Sequence, residues 1–225
     1  VNPFAQSGHD LRLEWGPDGV AELGRECAAL VVVDVLSFST TVDLVTSRGG
    51  RVRPLRWRGD SVPRPAAVGP APGLLDLPSP NGATLCAQAA ATGATVLAGC
   101  LRNASAVAAA AAGIAGARPI GVIPAGERWG VNITAAGAGE SLRPCVEDLL
   151  GAGAIVAAMA GRPASPEAHL AATAYRGTGI GEALRGCSSG LELIAHGHAR
   201  DVELAAEVDV SATAPILVNG LLEAA

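Results

Sequence analysis

The sequence predicts a layered α/β/α fold built on a mixed, largely parallel sheet, and three observations carry that expectation. First, the 49% apolar content comes mainly from Ala, Val and Leu, with 3% aromatic residues, which suits a core of closely packed helices and strands with small side chains. Second, residues 29–35 form a β-branched apolar run broken only by Asp34, the pattern of a strand covered on both faces. Third, strand-like and helix-periodic segments alternate along the chain. A chain of 225 residues can bury a substantial core, expected here as one α/β unit over residues 1–225. The variant reading is two intertwined subdomains meeting near residues 125–143.

Taken in order, residues 11–14 read as a short edge strand, and Gly16-Pro17-Asp18-Gly19 as a turn into a short helix ending at Leu23. After the strand at 29–35, Ser39, Thr40 and Thr41 offer hydroxyls at a helix start, and Val42, Leu44 and Val45 give that helix its apolar face up to Gly49-Gly50. A strand at residues 51–55 would complete a βαβ unit. Residues 58–80, rich in Pro and Gly, read as a long loop. Asn81-Gly82 opens a helix to about Thr92, followed by a strand at 95–98, a helix at 103–115 and a strand at 119–123. A second Gly-rich connection spans 124–143, with a short strand expected at 131–134. A helix from Pro144, placed at the first helical position, runs through Met159. Further helices are expected at 166–185, 189–195 and 200–208, with a final strand at 215–218.

Composition excludes several chemistries. All 16 basic residues are Arg, so a Schiff-base lysine, a catalytic Lys base and a P-loop lysine are ruled out, and an anion must be held by Arg or backbone amides. A net charge of −5, with no basic cluster interleaved with aromatics, argues against nucleic acid as a partner. No apolar stretch reaches the length of a membrane span, and no signal-peptide pattern opens the sequence. Five cysteines without CxxC or zinc-type spacing read as reduced, mostly buried thiols of a cytoplasmic protein. A homodimer is the default assembly.

Asp34 is the sharpest functional signal. A carboxylate at the end of a buried strand costs several kcal/mol unless a metal, a donor or a substrate meets it. Ser39 and Thr40 lie at the helix start that follows, where free amides and the helix dipole favour an anion, and Asn81-Gly82 offers a second amide cluster. Arg102-Asn103 follows another strand at the same sheet edge if the strands are parallel, which makes Arg102 a candidate bidentate partner for phosphate, sulfonate or carboxylate. Glu127, Glu140, Arg143, Glu147 and Asp148 form a charged group. With Asp34, its acids could hold Mg²⁺, which prefers one or two carboxylates plus waters and substrate oxygens; helix-dipole matching is the bland explanation of Glu147-Asp148. His196-x-His198 lacks the fuller ligand set of a zinc site. The Cys187-Ser188-Ser189-Gly190 segment reads foremost as a helix cap.

Several long motifs, in a fixed order, resemble the Mg²⁺-dependent 2-phosphosulfolactate phosphatase family of coenzyme M biosynthesis. They are VVVDVLSFSTT at 31–41, SPNGATL at 79–85, CLRNASAVA at 100–108, IPAGERW at 123–129, RPCVEDLLGAGAIV at 143–156 and CSSGLELIAHGHARDVELAAEVDV at 187–210. The chain departs from the family pattern at Ser37, where the family has Arg, and in a shortened segment at Val68-Gly69-Pro70. The resemblance implies an α/β fold and metal-assisted hydrolysis of a small anionic phosphate ester. On this reading Asp34, Arg102 and Glu147 are catalytic. Asp34 with Glu147 or Asp148 holds Mg²⁺, and Ser39, Thr40, Asn81, Gly82, Asn103 and Arg143 bind substrate. Either a metal-activated water or a carboxylate would attack phosphorus. A non-catalytic anion-binding paralogue of the same fold is the alternative, and a metal-independent esterase a third.

Overall fold

The computed structural model describes residues 2–56, 62–130 and 141–225. In chain order the elements are β1 (Leu11–Leu13), α1 (Gly16–Leu23), β2 (Ala29–Val33), α2 (Phe38–Thr46), β3 (Arg51–Arg56), β4 (Leu74–Ser79) and α3 (Gly82–Ala90). Then follow β5 (Thr95–Gly99), α4 (Ala104–Ala115), β6 (Ile120–Pro124), β7 (Glu127–Arg128), β8 (Leu142–Arg143) and α5 (Val146–Ala158). The chain closes with α6 (Pro166–Arg176), α7 (Ile180–Gly186), α8 (Ser188–Ala195), α9 (Ala199–Ala205), β9 (Pro215–Val218) and β10 (Leu221–Ala224). Short 3-10 turns lie at Pro3–Ala5, Pro65–Ala67 and Leu101–Asn103.

Eight strands make one sheet in the order β1-β6-β2-β5-β9-β10-β3-β4, and β7 and β8 form a separate antiparallel pair. β2 is central: all five of its residues are fully buried, and it pairs in parallel with β5 on one side and β6 on the other. Successive side chains point to opposite faces. Leu30 and Val32 therefore join α1, α2 and α3 in one core, while Val31 and Val33 join α4, α5 and α6 in the other. The expected α/β/α layering follows directly from that alternation.

The far half of the sheet corrects two expectations. β2, α2 and β3 are not a parallel βαβ unit, because β3 lies four places from β2 and the pairings β5-β9, β9-β10 and β10-β3 are all antiparallel. What intervenes is a C-terminal hairpin. Its two-residue turn, Asn219-Gly220, has positive φ at both positions, 50° and 80°, the primed turn that matches strand twist. Only the first strand of that hairpin was expected. The second correction is β4, within the segment read as a loop: Leu74–Ser79 pairs with β3 in parallel over six positions despite Pro78, which an edge strand tolerates.

Smaller differences concern boundaries. β2 stops at Val33, so Asp34 begins the loop; Pro144 lies before the Cys145 cap of α5; and the helix expected over 166–185 breaks at Gly177–Gly179 into α6 and α7. The strand expected at 131–134 and Glu140 lie outside the described residues. The five cysteines are free and buried, and among the described residues no helix is long and apolar enough to cross a membrane.

Helix α5 carries Glu147 and Asp148 on its first turn, so its seat matters to the site. It packs closely against α6 at Gly153, where a Cβ would meet the Ala171 carbonyl oxygen at 2.1 Å. Gly153→Ala is therefore expected to destabilise the fold by about 1–3 kcal/mol through overpacking. Gly113→Ala, in the exposed part of α4 with nothing within 4 Å, should instead stabilise it by roughly 0.5–1 kcal/mol. Thermal unfolding of both variants checks the pair.

Candidate active site

Asp34 is the first residue beyond β2 and is 6% exposed. The turn into α2 is built from its neighbours. Ser39 Oγ accepts the Asp34 N–H at 3.0 Å and donates to the Val32 carbonyl at 3.4 Å, while the Ser39 N–H donates to the Asp34 carbonyl at 2.7 Å. Thr40 Oγ1 donates to the Val35 carbonyl at 2.8 Å. Both hydroxyls are fully buried, and their described bonds are to backbone.

The Asp34 carboxylate reaches across to α3. Its Oδ2 accepts the Gly82 N–H at 2.8 Å and the Ser79 hydroxyl at 3.3 Å, and the Phe38 N–H at the start of α2 adds a further pull toward the anion. Two helix amino ends thus converge on one carboxylate, the arrangement their dipoles favour. Gly82 has no room for a side chain: a Cβ would lie 2.3 Å from the Phe38 ring and 2.8 Å from Asp34 Oδ2.

Asp148 approaches from α5. Its Oδ1 accepts the Val35 N–H and its Oδ2 the Gly126 N–H, each at 2.8 Å, so it ties the loop after β2 to the loop after β6. Burial pushes the Asp34 carboxyl up to about 6 against the pull of the Gly82 N–H, and the Glu127 charge raises it further. Burial also lifts Asp148 well above the usual carboxylate range, with Glu147 and Asp34 adding to the rise. Glu147 is buried between two thiols. Cys187 is pushed up to about 12, chiefly by burial and then by the Glu147 charge; Cys145 is raised by burial, then by Asp148 and Glu147.

Asn81 completes this first cluster, donating from Nδ2 to Glu127 Oε1 at 2.9 Å. Arg102 and Asn103 form a second one. Arg102 is 7% exposed; its Nε donates to Asp43 Oδ2 at 2.8 Å, and Nη1 bonds the Leu204 carbonyl at 3.0 Å and the Glu207 carboxylate. None of these bonds reaches Asp34, Gly82 or Asp148. Asn103 Oδ1 accepts the Cys100 N–H at 2.9 Å, but its Nδ2 is buried with no partner among the described residues. Arg143 sits on β8 opposite Glu127 and donates to Ser189 Oγ at 3.1 Å.

The structure therefore gathers Asp34, Gly82, Asn81 and Asp148, leaves Glu147 with no described bond to them, and sets Arg102 between α2 and α9, with Asn103 next to it in the chain. Ser79 and Asp43 were not singled out from sequence, and Glu127 only as one of a charged group. A Ser two residues before Asn-Gly carries no distinguishing signal, and Asp43 reads as a polar residue of an amphipathic helix.

Mg²⁺ ordinarily takes one or two carboxylates completed by water and substrate oxygens, and Asp34 with its buried neighbour Asp148 is the pair of this cluster that would offer them. Like-charged carboxylates crowded out of water, as Asp34 and Asp148 are, leave a negative field that a cation would relieve. Among the described residues no group of three or more His, Cys, Asp and Glu forms a ready-made cage.

Two outcomes follow. Asp148→Ala leaves two backbone N–H groups unpaired and should cost about 2–4 kcal/mol in denaturant unfolding. Because the folded Asp34 carboxyl titrates at about 6, above its ordinary value, the metal-free fold holds that proton more tightly than the unfolded chain does. The resulting stabilisation is present at low pH and lost as pH rises through about 6. The Tm of the native protein, measured relative to Asp34→Asn, should rise as pH is lowered from about 8 to about 5.

Compared with known families, residues 77–220 match the family model described as 2-phosphosulpholactate phosphatase. The match covers Ser79, Asn81, Gly82, Arg102, Glu127 and Asp148 and begins after Asp34. No curated protein matches the chain. The matched region spans well over half of the sequence and contains α3, which bonds to Asp34, and α5, which bonds to the loop after it, and the chain belongs to the 2-phosphosulpholactate phosphatase family.

Proposed function

We propose that the chain is a Mg²⁺-dependent phosphatase whose substrate is 2-phosphosulfolactate or a closely related phospho-acid. One observation carries this reading: the Asp34 carboxylate, buried and titrating at about 6, is held at the amino ends of α2 and α3 beside a second buried acid, Asp148. Family membership supports phosphomonoester hydrolysis as the reaction class.

In the hydrolysis, a water oxygen bonds to phosphorus as the bond from phosphorus to the ester oxygen breaks. The water gives up a proton, the departing alkoxide takes one, and the products are the hydroxy acid and inorganic phosphate. Asp34 is the group that would hold and accept the water proton. Asp34 with Glu147 or Asp148 would hold Mg²⁺, whose charge would neutralise the phosphoryl oxygens.

In this reading the second cluster would supply donors for the rest of such a substrate. A phospho-acid carrying carboxylate and sulfonate needs donors away from the phosphate. Arg102, clamped through Nε and Nη1, keeps Nη2 without a partner among the described residues, and the buried Asn103 Nδ2 beside it is likewise unpaired. An unpaired buried donor costs about 1–3 kcal/mol, which a bound anion would recover. Arg143 would contribute from β8. The free, buried thiols accord with a reducing, cytoplasmic setting.

Release of inorganic phosphate from 2-phosphosulfolactate with Mg²⁺ tests the reading. Wild-type protein should turn over and lose activity with a chelator. Asp34→Asn should reduce kcat by about 1,000-fold or more, the scale of a removed catalytic acid or base. Anion-induced stabilisation without hydrolysis would support the non-catalytic paralogue instead, and activity that survives chelation a metal-independent esterase.

A further inference from the structure

Asn81 stands at the cap position of α3, where an Asn side-chain oxygen ordinarily accepts an N–H of the first helical turn and stabilises the helix by about 1 kcal/mol. Here it makes no such bond. The amide is drawn aside by Glu127, whose Oε1 accepts the Asn81 Nδ2 hydrogen and the Arg128 N–H, each at 2.9 Å. A carboxylate accepts and does not donate, so the Asn81 amide has one orientation, nitrogen toward Glu127. Its Oδ1 then accepts nothing from the described residues.

The Asn81 backbone is equally fixed. Its N–H donates to Ser79 Oγ at 3.1 Å, the same hydroxyl that donates to Asp34 Oδ2 at 3.3 Å, and its carbonyl takes the Leu85 N–H at 2.9 Å. The next residue, Gly82, gives its N–H to Asp34 at 2.8 Å. The Asn81 backbone is thus tied to the Asp34 carboxylate through Ser79, and its side-chain amide is fixed, at the expense of the helix cap, by an acid that reaches over from β7.

We propose that Glu127 is a positioning residue for the hydrolysis, fixing the Asn81 amide so that Oδ1 receives a hydrogen of the attacking water beside Asp34. This rests on the phosphatase reading. Glu127 itself touches neither water nor phosphate in this role. Removing the carboxylate frees the amide to rotate and cap α3, which takes the acceptor away from the water while leaving the binding of the phospho-acid intact.

The experiment is steady-state hydrolysis of 2-phosphosulfolactate with Mg²⁺ by wild type, Glu127→Ala, Glu127→Gln, Asn81→Ala and the Glu127→Ala/Asn81→Ala double variant, each checked for folding by its Tm. Glu127→Ala and Asn81→Ala should each lower kcat by about 10- to 100-fold, the scale of a misplaced reacting group, with KM within about threefold of wild type. The double variant should be no slower than the slower single one, because both lose the same oriented acceptor. Glu127→Gln, whose side-chain oxygen can still accept from Asn81, should recover most of the rate. A Glu127→Ala rate within about threefold of wild type, a loss expressed in KM, multiplying losses in the double variant, or failure of Glu127→Gln to recover the rate would each overturn the positioning role. A wild-type protein that hydrolyses nothing would overturn the phosphatase reading and this inference together, whereas an active wild type with an unaffected Glu127→Ala overturns only the inference.

Discussion

The hydrogen bond from the Gly82 N–H to Asp34 Oδ2, at 2.8 Å, is the contact on which the site's architecture turns. It joins the loop after the central strand to the first residue of α3, 48 positions later. Only glycine allows it, because any Cβ at position 82 would enter the Phe38 ring and press on the carboxylate. Through Ser79 the same carboxylate also fixes the end of β4, so the loop after the central strand, an edge strand and two helix starts share one anchor. Asp148 repeats the device from the opposite core, with both oxygens on backbone amides.

That economy creates an electrostatic problem which the fold does not solve by itself. Buried amides and a hydroxyl stabilise Asp34 as an anion, yet burial outweighs them and the field of Glu127 adds to the cost. With Asp148 close by, the region crowds acids where water is scarce. Elsewhere the chain neutralises a buried acid with a guanidinium, as Asp43 with Arg102 at 2.8 Å. No described ion pair does so for Asp34. The contrast separates a structural acid from one whose protonation, and whose attraction for a cation, are left open for chemistry.

Much of this was legible in the sequence, and the limits are physical. The β-branched run at 29–35 read as a doubly covered strand, and the carboxylate near its end was conspicuous because burying it without a partner is costly. Gly82 was recognisable as a place of close backbone approach, though not what would approach. Strand partners were not legible: hydrophobic pattern specifies elements but not neighbours, so β3 was paired with the wrong part of the sheet. The Asn219-Gly220 turn did announce the hairpin that separates them, and its second strand was overlooked. β4 was hidden by Pro72, Pro78 and Pro80, which read as loop until an edge position makes them acceptable. Glu127 and Asp43 act through contacts of 46 and 59 residues' separation, which no local pattern encodes.

The central claim is that Asp34 is where cation and phosphate meet. Crystals grown with Mn²⁺ in place of Mg²⁺ and with inorganic phosphate test it most directly, because manganese is located by its anomalous scattering. The account predicts a manganese peak about 2.1 Å from an Asp34 carboxylate oxygen, sharing a phosphate oxygen with the anion beside Asn81. Manganese and phosphate bound together elsewhere, with Asp34 in contact with neither, would contradict it.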